Sequence, residues 1–183
     1  MKVNRRKKNK GLAVIAVRAR PGNPCQGLLR AGGRTFTCAL GRSGISAFKR
    51  EGDGATPLAG MAVLDGYVRT DRTVLRAAGV ALRPIRADDG WCDAPAHACY
   101  NKPVRLPFSA SHERMKRDDR LYDHCLVLDW NIGSRRRYRG SAIFLHVARQ
   151  GHPPTEGCIA VSPAVMRRLL PHLRRGTRIR VLR

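Results

Sequence analysis

Apolar residues fall in short runs separated by glycine, proline and charged clusters, a pattern of strands rather than helices over most of the chain. Leu12 to Ala19 predicts a first strand, closed by the turn residues Pro21-Gly22-Asn23-Pro24. Gly27 to Arg30 and Arg34 to Leu40 flank Ala31-Gly32-Gly33 and predict a hairpin. Gly41 to Gly60 holds few strand formers and predicts a loop, and Gly60 to Val68 predicts the next strand. Val80 to Arg86 reads as a strand, Asp88-Asp89-Gly90-Trp91 as a turn, and Asp93 to Pro107 as irregular. Ser109 to Arg120 reads as loop plus a short helix capping the sheet. Leu121 to Trp130 alternates as a strand, Arg135 to Arg139 makes a basic hairpin tip, and Ser141 to Val147 returns as a core strand. A clear helical period appears once, in Val165, Met166, Leu169 and Leu170 of Pro163 to Leu173, with Ser162 as N-cap and Pro163 at the first helical position. Thr177 to Leu182 predicts a last strand, so the chain is expected to be mostly β with one helix.

Composition changes this picture in three ways. At 183 residues the chain is long enough to bury a core without disulfides or metal. Its 36 Lys plus Arg against 13 Asp plus Glu give a formal net charge of +23, a field that attracts anionic polymers such as nucleic acid, lipid surfaces or acidic wall material. The arginines are spread along the chain and aromatics make up only 5%, which argues against a dedicated polyanion-binding module. Residues 1–10 form a basic flexible tail, leaving 11–183 as one domain. Gly11 to Val17 is a weak signal-peptide core interrupted by Arg18 and Arg20, and makes a better strand. No apolar run approaches the ~20 residues of a membrane span. Six cysteines are scattered without zinc-like spacing, so a structural metal is not expected; Cys92 and Cys99 bracket a proline-containing loop, and their pairing is left open.

The candidate chemistry lies in Phe144-Leu145-His146 and, twelve residues after the histidine, in Thr155-Glu156-Gly157-Cys158-Ile159. A thiol needs a base or a positive charge to become a nucleophile, and a histidine at a strand end would supply the base if the loop folds Cys158 back to it. Gly157 allows close approach of a substrate carbonyl, and N–H groups around Cys158 could line an oxyanion site. The helix start at Ser162-Pro163 would place the cysteine near a helix N-terminus, favouring a thiolate. Free cysteines are also common small buried hydrophobes, but the flanking glycine and the partner histidine favour a nucleophile. His152 is a second candidate base that spacing alone does not exclude. Thr155 either orients the loop through its hydroxyl or begins the turn. Glu156 would raise a thiolate's pKa if it pointed inward, and fits better at the cleft mouth, against a substrate amine or an arginine.

An apolar strand ending in His146, followed by Thr155-x-Gly157-Cys158-Ile159, resembles the L,D-transpeptidase (YkuD-type) catalytic domain. The blocks Gly41 to Gly44, Lys49 to Pro57, Asp89 to Asp93, Tyr100-Asn101 and Leu121 to Asp123 occur in the order of a short, single-domain branch, so the resemblance covers residues 12 to 182. It implies a β-sandwich or barrel-like fold and a thioester acyl-enzyme on Cys158, formed with peptidoglycan stem peptides as substrate. His146, rather than His152, would be the proton donor and acceptor, and no cofactor or metal would take part. Tyr122, Asp123 and Arg139-Gly140-Ser141 match blocks that shape the pocket and contact substrate. The resemblance also implies carbapenems as inhibitors and a periplasmic or cell-envelope location, although no convincing signal peptide is visible. Many members carry a histidine where Glu156 stands and a longer loop between histidine and cysteine, so contacts of that second histidine do not transfer. Two other functions are open: an L,D-carboxypeptidase that uses the same site and passes the acyl group to water, and a non-enzymatic polyanion binder suggested by the net charge of +23.

Overall fold

Alternation becomes burial in the first strand, β1 (Val14–Arg20), where Ile15 and Val17 are fully enclosed while Val14 and Arg18 face solvent. The computed structural model describes residues 11–73 and 78–183; the basic tail lies outside the described residues. β1 continues into β2 (Asn23–Ala31) and β3 (Arg34–Ala39), the predicted hairpin, which turns at Gly32-Gly33 where both residues take positive φ. The stretch to Gly60 is mostly loop, with two short segments, β4 (Ile45–Ser46) and β5 (Thr56–Pro57), pairing in parallel. β6 (Gly60–Val68) has the predicted bounds, and β7 (Leu82–Pro84) is a shortened form of the predicted strand.

Between Asp88 and Arg120 the structure corrects the sequence reading. A turn, an irregular stretch and a short helix were expected; three strands form instead: β8 (Asp89–Cys92), β9 (Lys102–Arg105) and β10 (His112–Arg114), in the order β10-β8-β9. β8 holds a buried aspartate because Asp89 is satisfied there. Its Oδ1 accepts from Arg105 at 2.8 Å and its Oδ2 from the Arg86 N–H at 2.8 Å. The Trp91 indole donates to Asn101 Oδ1 at 3.0 Å, tying β8 to the segment that precedes β9.

The larger sheet adds β11 (His124–Leu128), β12 (Phe144–Val147), β13 (Ile159–Val161) and β14 (Arg178–Leu182), in the order β11-β12-β13-β3-β2-β1-β14-β6-β7. β11 pairs with β12 on one edge and β6 on the other, so the sheet closes into a ring with β7 appended to β6. One face of each ring strand fills the interior, with Leu29, Met61, Leu126, Leu145, Ile159 and Ile179 all within 1% of full burial. On the outer faces of β6, β11 and β12 a second core forms from Tyr67, Trp91, Tyr122, Cys125, Val127 and Phe144. Both faces of β11 are therefore covered, and all five of its residues are buried.

Helix α1 (Pro163–Leu169) follows β13 directly. Its cap is the predicted one: Ser162 Oγ accepts from the Val165 N–H at 3.3 Å, and Met166 and Leu169 are buried against the barrel core. A 3-10 turn over Leu170–His172 completes the predicted helical stretch. The fold is mostly β, as expected, with a single α-helix among the described residues. Among those residues, no helix is long and apolar enough to cross a membrane.

Candidate active site

β12 points Leu145 and Val147 into the barrel, so Phe144 and His146 project from its outer face. β13 runs parallel to it, with Leu145 opposite Ile159 and His146 opposite Ala160. Two residues before Ala160, Cys158 shares that outer face and sits beside Phe144. The Phe144 N–H donates to Cys158 Sγ at 3.3 Å, and the thiol donates to Ala142 O at 3.2 Å. His146 and Cys158 line one pocket of about 190 Å³, together with Tyr122, Thr155 and Glu156.

Local backbone chemistry fixes the cysteine turn. Gly157 has φ +130°, and a Cβ there would come within 2.8 Å of Ala55 O, so the position requires glycine. Thr155 Oγ1 donates to Cys158 O at 2.6 Å and accepts from the Gly157 N–H at 3.2 Å, bracing the four-residue turn from inside. The backbone of Thr155 is held in turn, by Arg42 N–H to its carbonyl and its own N–H to Leu40 O, both at 2.8 Å.

The imidazole is oriented from two sides. His146 Nδ1 lies 2.8 Å from Val147 O, and because a carbonyl can only accept, Nδ1 carries the proton and Nε2 is left as the basic nitrogen. The Tyr122 ring meets the imidazole edge-on at 5.4 Å and Phe144 at 5.9 Å, and Trp91 backs Phe144 at 5.2 Å. Burial pushes the His146 pKa down to about 4, against the hydrogen bond to Val147 O, which favours the charged form. Burial likewise pushes the Cys158 thiol up to about 12; the Phe144 N–H opposes this, and Glu113 adds to it. Thiol and imidazole are thus both neutral at pH 7 in the unliganded protein.

The expected proximity of Cys158 to a helix N-terminus is corrected here. All of β13 separates the cysteine from the cap at Ser162, a gap of roughly 13 Å at the rise of an extended strand. The helix dipole is confined to the first turn and does not act on the thiol.

The other sequence candidates divide. Glu156 stands at the pocket mouth in an exposed ion pair, its Oε2 accepting from Arg42 Nε at 2.8 Å. Tyr122 is buried within the pocket wall. Arg139 is not brought to the pocket: it lies exposed on the turn between β11 and β12, and its carbonyl accepts from the Trp130 indole at 2.9 Å. Asp123 lines a different cavity, with Arg72 and His124. His152 faces a cavity beside Ala148, Gly151 and Pro163, so of the two candidate bases it is His146 that shares the cysteine pocket. Cys92 and Cys99 are free thiols.

Sequence reasoning missed a charged cluster in the pocket lining. Arg117 forks onto Asp119, with Nε to Oδ1 and Nη2 to Oδ2 both at 2.9 Å, and its Nη1 donates to Glu113 Oε1 at 2.6 Å. Its guanidinium also lies 5.3 Å from the Tyr122 ring centroid. Arg149, three residues beyond His146, donates from Nη2 to Asp119 Oδ2 at 3.0 Å. Glu113, Arg117 and Arg149 all line the pocket. The short spacing of Arg117 and Asp119 was visible in the sequence, but nothing local linked either to residue 149. No group of three or more His, Cys, Asp or Glu side chains that could hold a metal occurs among the described residues.

A closed β-barrel bearing a thiol and a tautomer-fixed imidazole in one outer pocket defines a cysteine–histidine site on a mostly-β frame. The chain belongs to the L,D-transpeptidase catalytic domain (YkuD) family, whose match spans residues 26–181. No curated protein and no solved structure matches it.

Proposed function

We propose that this protein is a cysteine-dependent L,D-transpeptidase acting on peptidoglycan stem peptides at the cell envelope. Family membership supports the reaction class. The observation that carries the residue roles is the shared pocket of Cys158 and His146, with Nδ1 committed to Val147 O and Nε2 left to take a proton. Cys158 Sγ attacks the carbonyl of the L-centre that precedes a terminal D-residue while His146 Nε2 takes the thiol proton. The Gly157 N–H is engaged by Thr155 Oγ1, so the oxyanion is assigned to the Cys158 N–H. The imidazolium then protonates the departing amine, the C–N bond breaks, and a thioester remains. An amine from a second stem attacks the thioester, passing its proton to Nε2; the C–S bond breaks and the thiol is restored.

Disaccharide-tetrapeptide muropeptides incubated with wild type and Cys158→Ala, with products followed by mass spectrometry, test this reading. A cross-linked dimer lacking one terminal D-residue, formed by wild type only, is expected. Free tripeptide without dimer would make the protein an L,D-carboxypeptidase. Equal product from both proteins would remove Cys158 from the mechanism.

A further inference from the structure

The pocket wall carries one arginine that is anchored and still open. Asp119 takes both oxygens of its carboxylate to the Arg117 fork, and Arg117 spends its remaining Nη1 on Glu113. Arg149 is attached to this cluster through Nη2 alone, at 3.0 Å, and its side chain is 58% exposed. A guanidinium has five N–H donors in a rigid fork. One bond to Asp119 anchors that fork, and Arg149 lines the pocket that holds Cys158 and His146. Arg149 lies two residues past the end of β12, and its carbonyl accepts from the His152 N–H at 3.1 Å, which folds the loop back.

We propose that Arg149 is a specificity-determining residue that receives a free carboxylate of the acyl-donor peptide. This rests on the stem-peptide reading above. Such a peptide offers the carboxylate from two sources, the terminal D-residue that leaves on acylation and the side chain of a diamino diacid at the reacting centre. Both present the planar, bidentate partner that a guanidinium fits. Arg42, by contrast, is paired with Glu156 and does not line the pocket, which leaves Arg149 as its lining arginine with a single ion-pair contact.

Acyl-enzyme formation on Cys158 is followed by mass spectrometry with three donors: the tetrapeptide, its C-terminal carboxamide, and the analogue with the side-chain carboxylate amidated. Wild type is expected to lose about 10- to 100-fold in kcat/KM on one of the two amides, the weight of a charge-assisted hydrogen bond, and that amide names the source. Arg149→Gln is expected to bring the ratio of acid to amide close to one, and Arg149→Lys to restore part of it. An acyl-enzyme that forms with all three donors at similar kcat/KM in wild type overturns the inference and leaves the proposed function standing. A uniform loss in Arg149→Gln with the ratio preserved makes Arg149 merely structural and overturns it too. No acyl-enzyme with any donor in wild type brings down the proposed function, and the inference with it.

Discussion

Cys158 and His146 are held in the wrong protonation states for a pre-formed thiolate–imidazolium pair, the thiol near 12 and the imidazole near 4, both because burial disfavours charge. In the proposed reaction, proton transfer therefore belongs to the attack itself. Alkylation of Cys158 by iodoacetamide, followed on its own peptide by mass spectrometry, is expected to rise about tenfold per pH unit between pH 6 and 9, because only the thiolate reacts. A rate flat across pH 6–8 would mean a resident thiolate. At this scale the sequence was informative where the chemistry is contiguous. Thr155, Gly157 and Cys158 form one braced turn; their types announced the turn, and the hydroxyl brace was one of two readings of Thr155. It was silent where partners are distant: Arg42 reaches Glu156 from 114 positions away, and Arg149 reaches Asp119 from 30. Pairing at such separations is set by strand order, which no local pattern encodes.

Among the elements, the loop from Arg42 to Pro57 forms the wall against which Gly157 packs, and Asp53 organises it. Its carboxylate accepts from the Arg50 N–H at 2.7 Å, the Ala55 N–H at 2.9 Å and the buried Lys49 Nζ at 2.5 Å. Burial raises the Asp53 pKa, but the Lys49 ammonium and the two N–H groups outweigh it, and the carboxyl titrates below its usual value. Asp53→Asn is expected to cost about 3 kcal/mol in urea unfolding, toward the low end for breaking a buried pair because Asp53 is a quarter exposed. A group lowered in the folded state stabilises above its unfolded pKa of about 3.9, and that contribution disappears as pH falls through the folded value. The gap between wild type and variant is therefore expected to hold at pH 6 and to shrink below about pH 4. A constant gap down to pH 2 would contradict the role of the charge. This loop was legible as a loop, but not as a tied one. β6, with its alternating Met61 and Val63, was legible to the residue, whereas β8 to β10 were not. Those three are short and rich in glycine, proline and charge, and they exist because they pair with one another and because Asp89 and Trp91 find polar partners.

The whole molecule depends on closing the ring, since β11 joins β12 and β6 and so gives the outer pocket a rigid floor. Leu126 lies at that seam, fully buried in the barrel core and opposite Gly66. Leu126→Ala is expected to lower stability by about 2–5 kcal/mol in denaturant unfolding, and a loss under 1 kcal/mol would mean that the seam carries little of the core. The mostly-β class followed from the apolar pattern, but closure did not, because it needs the β6–β11 pairing, which joins strands more than fifty residues apart. In the proposed function this frame presents Cys158 as an acyl acceptor. Intact-protein mass spectrometry after mixing with a disaccharide tetrapeptide tests it most directly. A mass gain equal to the disaccharide tetrapeptide less the released D-amino acid, located on Cys158 and absent from Cys158→Ala, is expected. An adduct on another residue, or one that persists in Cys158→Ala, would contradict it.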